Sequence, residues 1–146
     1  MDGFTQRFSV LVVEDDLSYQ ELYAEMLAGE YELVIVTSAE EARGALRQRR
    51  FDVAVVDMRL KQVRDNVDGL DVLEFARALG IPTRFILKSG FPTQTADIEA
   101  RLSRLQPFAV LDKSADKQAE QLLRLVAQAV RPDRFLRSTP KRSSGG

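Results

Sequence analysis

Two apolar runs in this chain each end on carboxylate. Phe51-Asp52-Val53-Ala54-Val55-Val56 leads into Asp57, and Val10-Leu11-Val12-Val13 leads into Glu14-Asp15-Asp16. Consecutive small or β-branched apolar residues without polar alternation describe a strand buried on both faces, as in a parallel sheet covered by helices. Open α/β folds bind their ligands at the carboxyl edge of such strands. If the two strands are neighbours, three or four negative groups converge there, and their repulsion calls for a cation. A hard divalent ion such as Mg²⁺ suits an all-oxygen site and leaves room for a phosphate oxygen. Simpler readings stand beside this one: Asp57 could begin a loop or cap a helix, and Glu14 to Asp16 could be an acidic helix start favoured by the macrodipole.

Two more runs end on polar groups. Arg84-Phe85-Ile86-Leu87-Lys88 reaches Ser89-Gly90, and Phe108-Ala109-Val110-Leu111-Asp112 reaches Lys113. A carboxylate nucleophile, a metal, a hydroxyl and an ammonium together neutralise a transferring phosphoryl group, whose charge lies on its equatorial oxygens.

The elements that must position these groups alternate strand and helix five times. Leu17, Tyr19, Leu22, Tyr23, Met26 and Leu27 recur at helical spacing up to Gly29. Tyr31 to Val36 is the next apolar stretch, and Ser38 with Glu41 is a capping-box signature before a second helix. Asp68 caps a helix carrying Leu70, Leu73 and Ala76, stopped by Gly80 and Pro82. Pro92 or Thr93 opens the next helix, and Ser114 caps the last, which bears Leu122, Leu123, Val126 and Val130. Five such units imply an α/β fold with a parallel sheet, because parallel neighbours need right-handed crossovers.

Composition narrows the chemistry. The chain has no cysteine, which removes thiolate nucleophiles and zinc-thiolate sites. It has no histidine either, which removes Ser-His-Asp catalysis and any role as a phosphohistidine carrier. At 146 residues one domain is expected, without an output domain. No apolar signal core or membrane-length run is present, so a cytoplasmic protein with no membrane partner is expected. The net charge of −1 hides an asymmetry, because Arg131, Arg134, Arg137, Lys141 and Arg142 face only Asp133 in the last stretch. Residues 131–146 read as a basic, disordered tail, and direct nucleic-acid binding is not expected of it.

The order of acidic pair, Asp, Ser and Lys, each at the end of its own strand, resembles the receiver domain of two-component response regulators. The resemblance covers residues 8–130. It implies a doubly wound, flavodoxin-like sheet of order 2-1-3-4-5 with five helices. It also implies that Asp57 accepts a phosphoryl group from a histidine kinase or histidine phosphotransfer protein, and that the signal passes to a downstream protein target. Glu14 and Asp15 would hold Mg²⁺ with Asp57 and the Met58 carbonyl, leaving Asp16 as a neighbour or cap. Ser89 and Lys113 would contact the phosphoryl oxygens. Such a protein is a switch that assists its own phosphorylation and dephosphorylation, not an enzyme acting on other substrates.

Three departures from the family pattern stand out. The segment after Asp57 is longer by about four residues and lacks a proline in Lys61 to Val67, Ser114 replaces a proline after the lysine, and Val110 replaces an aromatic relay. In the family the residues two beyond the acceptor and two beyond the hydroxyl flank the path of water to the acyl phosphate, so the resemblance implies that Arg59 and Phe91, which stand there, slow its attack. Two other classes compete. A haloacid dehalogenase-type Mg²⁺ phosphatase would carry Asp-x-Asp after its first strand, which Glu14-Asp15-Asp16 does not supply. A flavodoxin-like FMN module would need phosphate-binding amides where the carboxylates stand.

Overall fold

The computed structural model describes residues 7–58, 68–90, 96–112 and 118–131. Five strands and five helices alternate among them: β1 (Ser9–Val13), α1 (Leu17–Leu27), β2 (Glu32–Val36), α2 (Ala39–Gln48), β3 (Val53–Asp57), α3 (Asp68–Ala78), β4 (Arg84–Ser89), α4 (Ala96–Leu105), β5 (Ala109–Asp112) and α5 (Gln118–Val130). The strands form one parallel sheet in the order β2-β1-β3-β4-β5. This is the doubly wound arrangement that the resemblance implied. The chain reverses its winding between β1 and β3, the position where such folds bind ligands.

Strand alternation divides the core in two. Leu11, Val13, Ala54, Val56, Phe85 and Leu87 meet Ala42, Leu46, Leu70, Leu73, Ala76 and Leu105, so α2, α3 and α4 cover one face. Val10, Val12, Val53, Val55, Ile86 and Leu111 meet Tyr23, Leu27, Leu122 and Val126, so α1 and α5 cover the other. All five residues of β1 and of β3 are buried, which explains the absence of polar alternation in their sequences.

Local signals set the helix ends. Asp16 is the N-cap of α1, its carboxylate accepting from the Ser18 N–H at 2.8 Å and the Tyr19 N–H at 3.3 Å. That makes Asp16 a cap rather than a third inward carboxylate. Ser38 caps α2 by accepting from the Glu41 N–H at 3.1 Å. The return bond differs from the usual box, because the Glu41 carboxylate accepts from Thr37, both its N–H at 2.8 Å and its hydroxyl at 3.0 Å. Asp68 lies inside the first turn of α3, where its charge favours the helix N-terminus, rather than before it. The expected starts of the last two helices, at Pro92 or Thr93 and at Ser114, lie outside the described residues, as does the tail beyond Arg131. No described helix is long and apolar enough to cross a membrane.

Candidate functional site at the carboxyl edge of the sheet

The same alternation that builds the α1/α5 core carries on into the site. Val10 and Val12 lead to Glu14, Val53 and Val55 to Asp57, and Ile86 to Lys88, so these three polar groups inherit one face of three adjacent strands. Asp57 is in register with Lys88, and Glu14 follows Val13, which is in register with Val56. Carboxylate oxygens of Glu14, Asp15 and Asp57 all lie within 4.8 Å of one another. Asp57 is 2% exposed and Glu14 fully buried, while Asp15 is half-buried.

The surroundings of Glu14 are fully defined. Its N–H donates to Val36 O at 3.0 Å, extending the β1–β2 ladder by one step, and its carbonyl accepts from Gln20 Nε2 at 2.7 Å. One carboxylate oxygen accepts from the Asp16 N–H at 3.1 Å, and the other takes the Lys88 ammonium at 2.7 Å. Burial pushes the Glu14 carboxyl above its ordinary range, the Lys88 ammonium pulls it back, and the charge of Asp57 adds to the upward push.

Lys88 is fully buried too. Removing an ammonium from water costs several kcal/mol even after the protein relaxes, so it persists only where the site compensates it. Here compensation comes from Glu14, from the Tyr23 hydroxyl that accepts from Nζ, and from the Tyr19 and Tyr23 ring faces at 4.6 and 4.2 Å. Burial, with the charge of Glu14 behind it, pushes the Tyr23 hydroxyl well above its ordinary value, keeping it neutral. The sequence reading assigned no role to Lys88, Tyr19 or Tyr23. The signal was present: a lysine two residues beyond Ile86, on a strand otherwise apolar to its end, must share the face of Ile86.

The other residues singled out from the sequence fall as follows. Ser89 ends β4, buried, in register with Asp112 at the end of β5. Met58 is buried, its N–H donates to Lys88 O at 2.9 Å, and its carbonyl accepts from the Gly69 N–H at 3.1 Å. That bond occupies one of the two lone pairs of the carbonyl. Gly69 comes so close to β3 that a Cβ on it would stand 2.1 Å from the Asp57 carbonyl oxygen. A glycine is therefore required to pin α3 on the backbone of Asp57 and Met58. Val110 is exposed on β5. Lys113, Arg59 and Phe91 lie outside the described residues.

The chain matches known proteins chiefly in its architecture. A signal receiver domain of an HD domain-containing protein from Pseudomonas fluorescens Pf-5 superposes with a TM-score of 0.73 at 23% identity, over 94% of this chain and 96% of that one. A CheY-like response regulator receiver domain protein from Methanospirillum hungatei JF-1 gives 0.71 at 18% identity, over 89% and 99%. The fold is that of response-regulator receiver domains. In sequence, the chain is 23% identical over 122 residues to the transcriptional regulatory protein ZraR of Salmonella typhimurium, covering 83% of this chain. It spans only 27% of the length of that relative. No family model matches the chain. The receiver fold places the ends of β1 and β3 side by side, which is what the acidic cluster at this edge requires.

Proposed function

We propose that the chain is a phosphorylation-controlled signalling switch in which residues 8–130 form the receiver unit and Asp57 is the phosphoryl acceptor. The observation that supports this most is the meeting of Asp57, Asp15 and Glu14 oxygens at the switch point of a receiver fold. Three carboxylates so close, in a chain with no cysteine or histidine, fit a hard cation of the Mg²⁺ kind. Asp15, Asp57, Glu14 and the Met58 carbonyl would hold it. When bound, Mg²⁺ neutralises phosphoryl charge and fixes the geometry of the incoming group.

The residues of the chain do the rest. Asp57 presents a carboxylate oxygen that attacks phosphorus, so the new P–O bond of an acyl phosphate forms as the P–N bond of the donor breaks and the imidazole departs with its electron pair. These 146 residues contain no histidine, so the donor imidazole lies outside them, on a histidine kinase or a histidine phosphotransfer protein. Ser89 donates a hydrogen bond to one phosphoryl oxygen and Lys113 pairs with another, and both read the phosphorylated state more than they create it. The output is a changed surface read by a downstream protein, in the cytoplasm, without turnover of any other substrate. Incubation with a small acyl phosphate donor and Mg²⁺, followed by mapping of the modified residue, tests the assignment. Modification of Asp57 that chelator abolishes is expected, and phosphate on a serine or chelator-insensitive labelling overturns it.

A further inference from the structure

We infer that Lys88 is a positioning residue that acts through Glu14: its buried ammonium already serves as the cation of this carboxylate, so a divalent ion at the edge binds against Lys88. This rests on the reading of the acidic edge as a metal site. The ground is geometric. Lys88 Nζ is 2.7 Å from one oxygen of Glu14, the Asp16 N–H is 3.1 Å from the other, and both side chains of the ion pair are fully shielded from solvent. Glu14 therefore cannot swing to follow an incoming ion without releasing an ammonium that has nowhere solvated to go. The ammonium is also held by the Tyr23 hydroxyl and the ring faces of Tyr19 and Tyr23.

A divalent ion held at this edge would meet the like charge of a buried ammonium, which solvent screens little. Of the three carboxylates proposed to hold the ion, Glu14 then offers its oxygens with its charge already offset by Lys88. The consequence is a receiver with lower Mg²⁺ affinity than its three carboxylates suggest, and one in which Lys88 sets that affinity from outside the coordination shell.

The test is Mg²⁺ titration of the unphosphorylated full chain by calorimetry, with no phosphodonor present. Lys88→Met, which keeps the length and removes the charge, is expected to bind Mg²⁺ at least about tenfold more tightly than the parent. An affinity unchanged or weakened in a folded Lys88→Met protein overturns the inference. Should that variant fail to fold, Lys88→Gln, which keeps a polar head against Glu14 and removes the charge, decides it. The same tightening is expected of it. An affinity unchanged or weakened in a folded Lys88→Gln protein overturns the inference as well. Absence of Mg²⁺ binding in the parent and both variants overturns the metal reading along with this one. Normal Asp57 phosphorylation with unchanged metal affinity in Lys88→Met overturns this one alone.

Discussion

Asp52 and Asp57 bracket the same strand, and their surroundings have opposite character. Asp52, just before β3, is met by neutral donors: the Ser9 N–H at 2.9 Å and the Ser9 hydroxyl at 3.3 Å. Its own N–H donates back to Ser9 O at 3.0 Å, so the pair closes the amino edge of β1 against β3. Asp57, the last residue of the strand, has two other carboxylates for neighbours. One aspartate is used to join strands, and the other is held where negative charge accumulates. Residue type does not separate them, whereas the edge of the sheet each occupies and the groups gathered there do. A carboxylate met by N–H and O–H donors joins two strands, and one gathered with two other carboxylates offers oxygens to a cation.

The sharpest way to break this contrast is to neutralise each aspartate in turn. Asp57→Asn is expected to abolish labelling by a small phosphodonor, whereas Asp52→Asn should leave labelling near the parent level. Mass spectrometry of the intact proteins reads both. Equal loss in the two variants would show that the ends of the strand are not functionally distinct.

Next in size is the effect of the buried pair at the carboxyl edge. Lys88→Ala leaves Glu14 as an uncompensated buried charge and should cost about 3–5 kcal/mol, while Glu14→Gln with Lys88→Met should cost far less or nothing. Denaturant unfolding of both variants checks this. A double variant as unstable as the single would mean that the lysine stem, and not its charge, supports the fold. No cost of this type is expected from Asp52→Ala, whose carboxylate is only partly buried and whose Ser9 donors are neutral.

Smaller again is the effect of crowding the acceptor from behind. Gly69→Ala sets a methyl against the Asp57 carbonyl, a contact of 2.1 Å that the backbone must relieve by moving. Overpacking of this type costs about 1–3 kcal/mol. Here the shift falls on the residue proposed to carry the phosphoryl group, so slower labelling should accompany the lost stability. A variant with parental stability and parental labelling rate would show that α3 can retreat freely.

The fold was legible because each strand announces itself. Fully buried runs such as Val53-Ala54-Val55-Val56 leave no helical alternative of comparable length, and the caps at Asp16 and Ser38 mark where helices begin. The acidic half of the site was legible for the same reason, since a carboxylate ending a buried strand has few places to go. What escaped was Lys88. The face it takes could be read from the alternation of its strand, but its partner could not, and only the register of Asp57 with Lys88 and the bond itself show that it meets Glu14. The bond depends on two residues 74 positions apart, and a single sequence holds no local trace of such a pairing. The need for glycine at position 69 was hidden likewise, because its cause is the backbone of another element. Asp68-Gly69 was visible as a helix start, but not as a contact with the acceptor.

The smallest expected effect belongs to the amino edge, where hydrogen bonds hold the strands and nothing is poised to react. Thr83, buried just before β4, donates its hydroxyl to Phe51 O at 2.7 Å, while the Arg84 N–H reaches Asp52 O at 3.2 Å. Thr83→Val keeps the shape and removes one donor, which should cost about 1 kcal/mol, the net worth of a typical buried hydrogen bond. Because β3 is held by ladders to both β1 and β4, the loss should stay local and leave Mg²⁺ affinity and labelling of Asp57 unchanged. Thermal unfolding alongside a metal titration tests both halves. A Thr83→Val protein with altered Mg²⁺ affinity would mean that β3 transmits strain from one end to the other, and the two aspartates would then have to be treated as coupled.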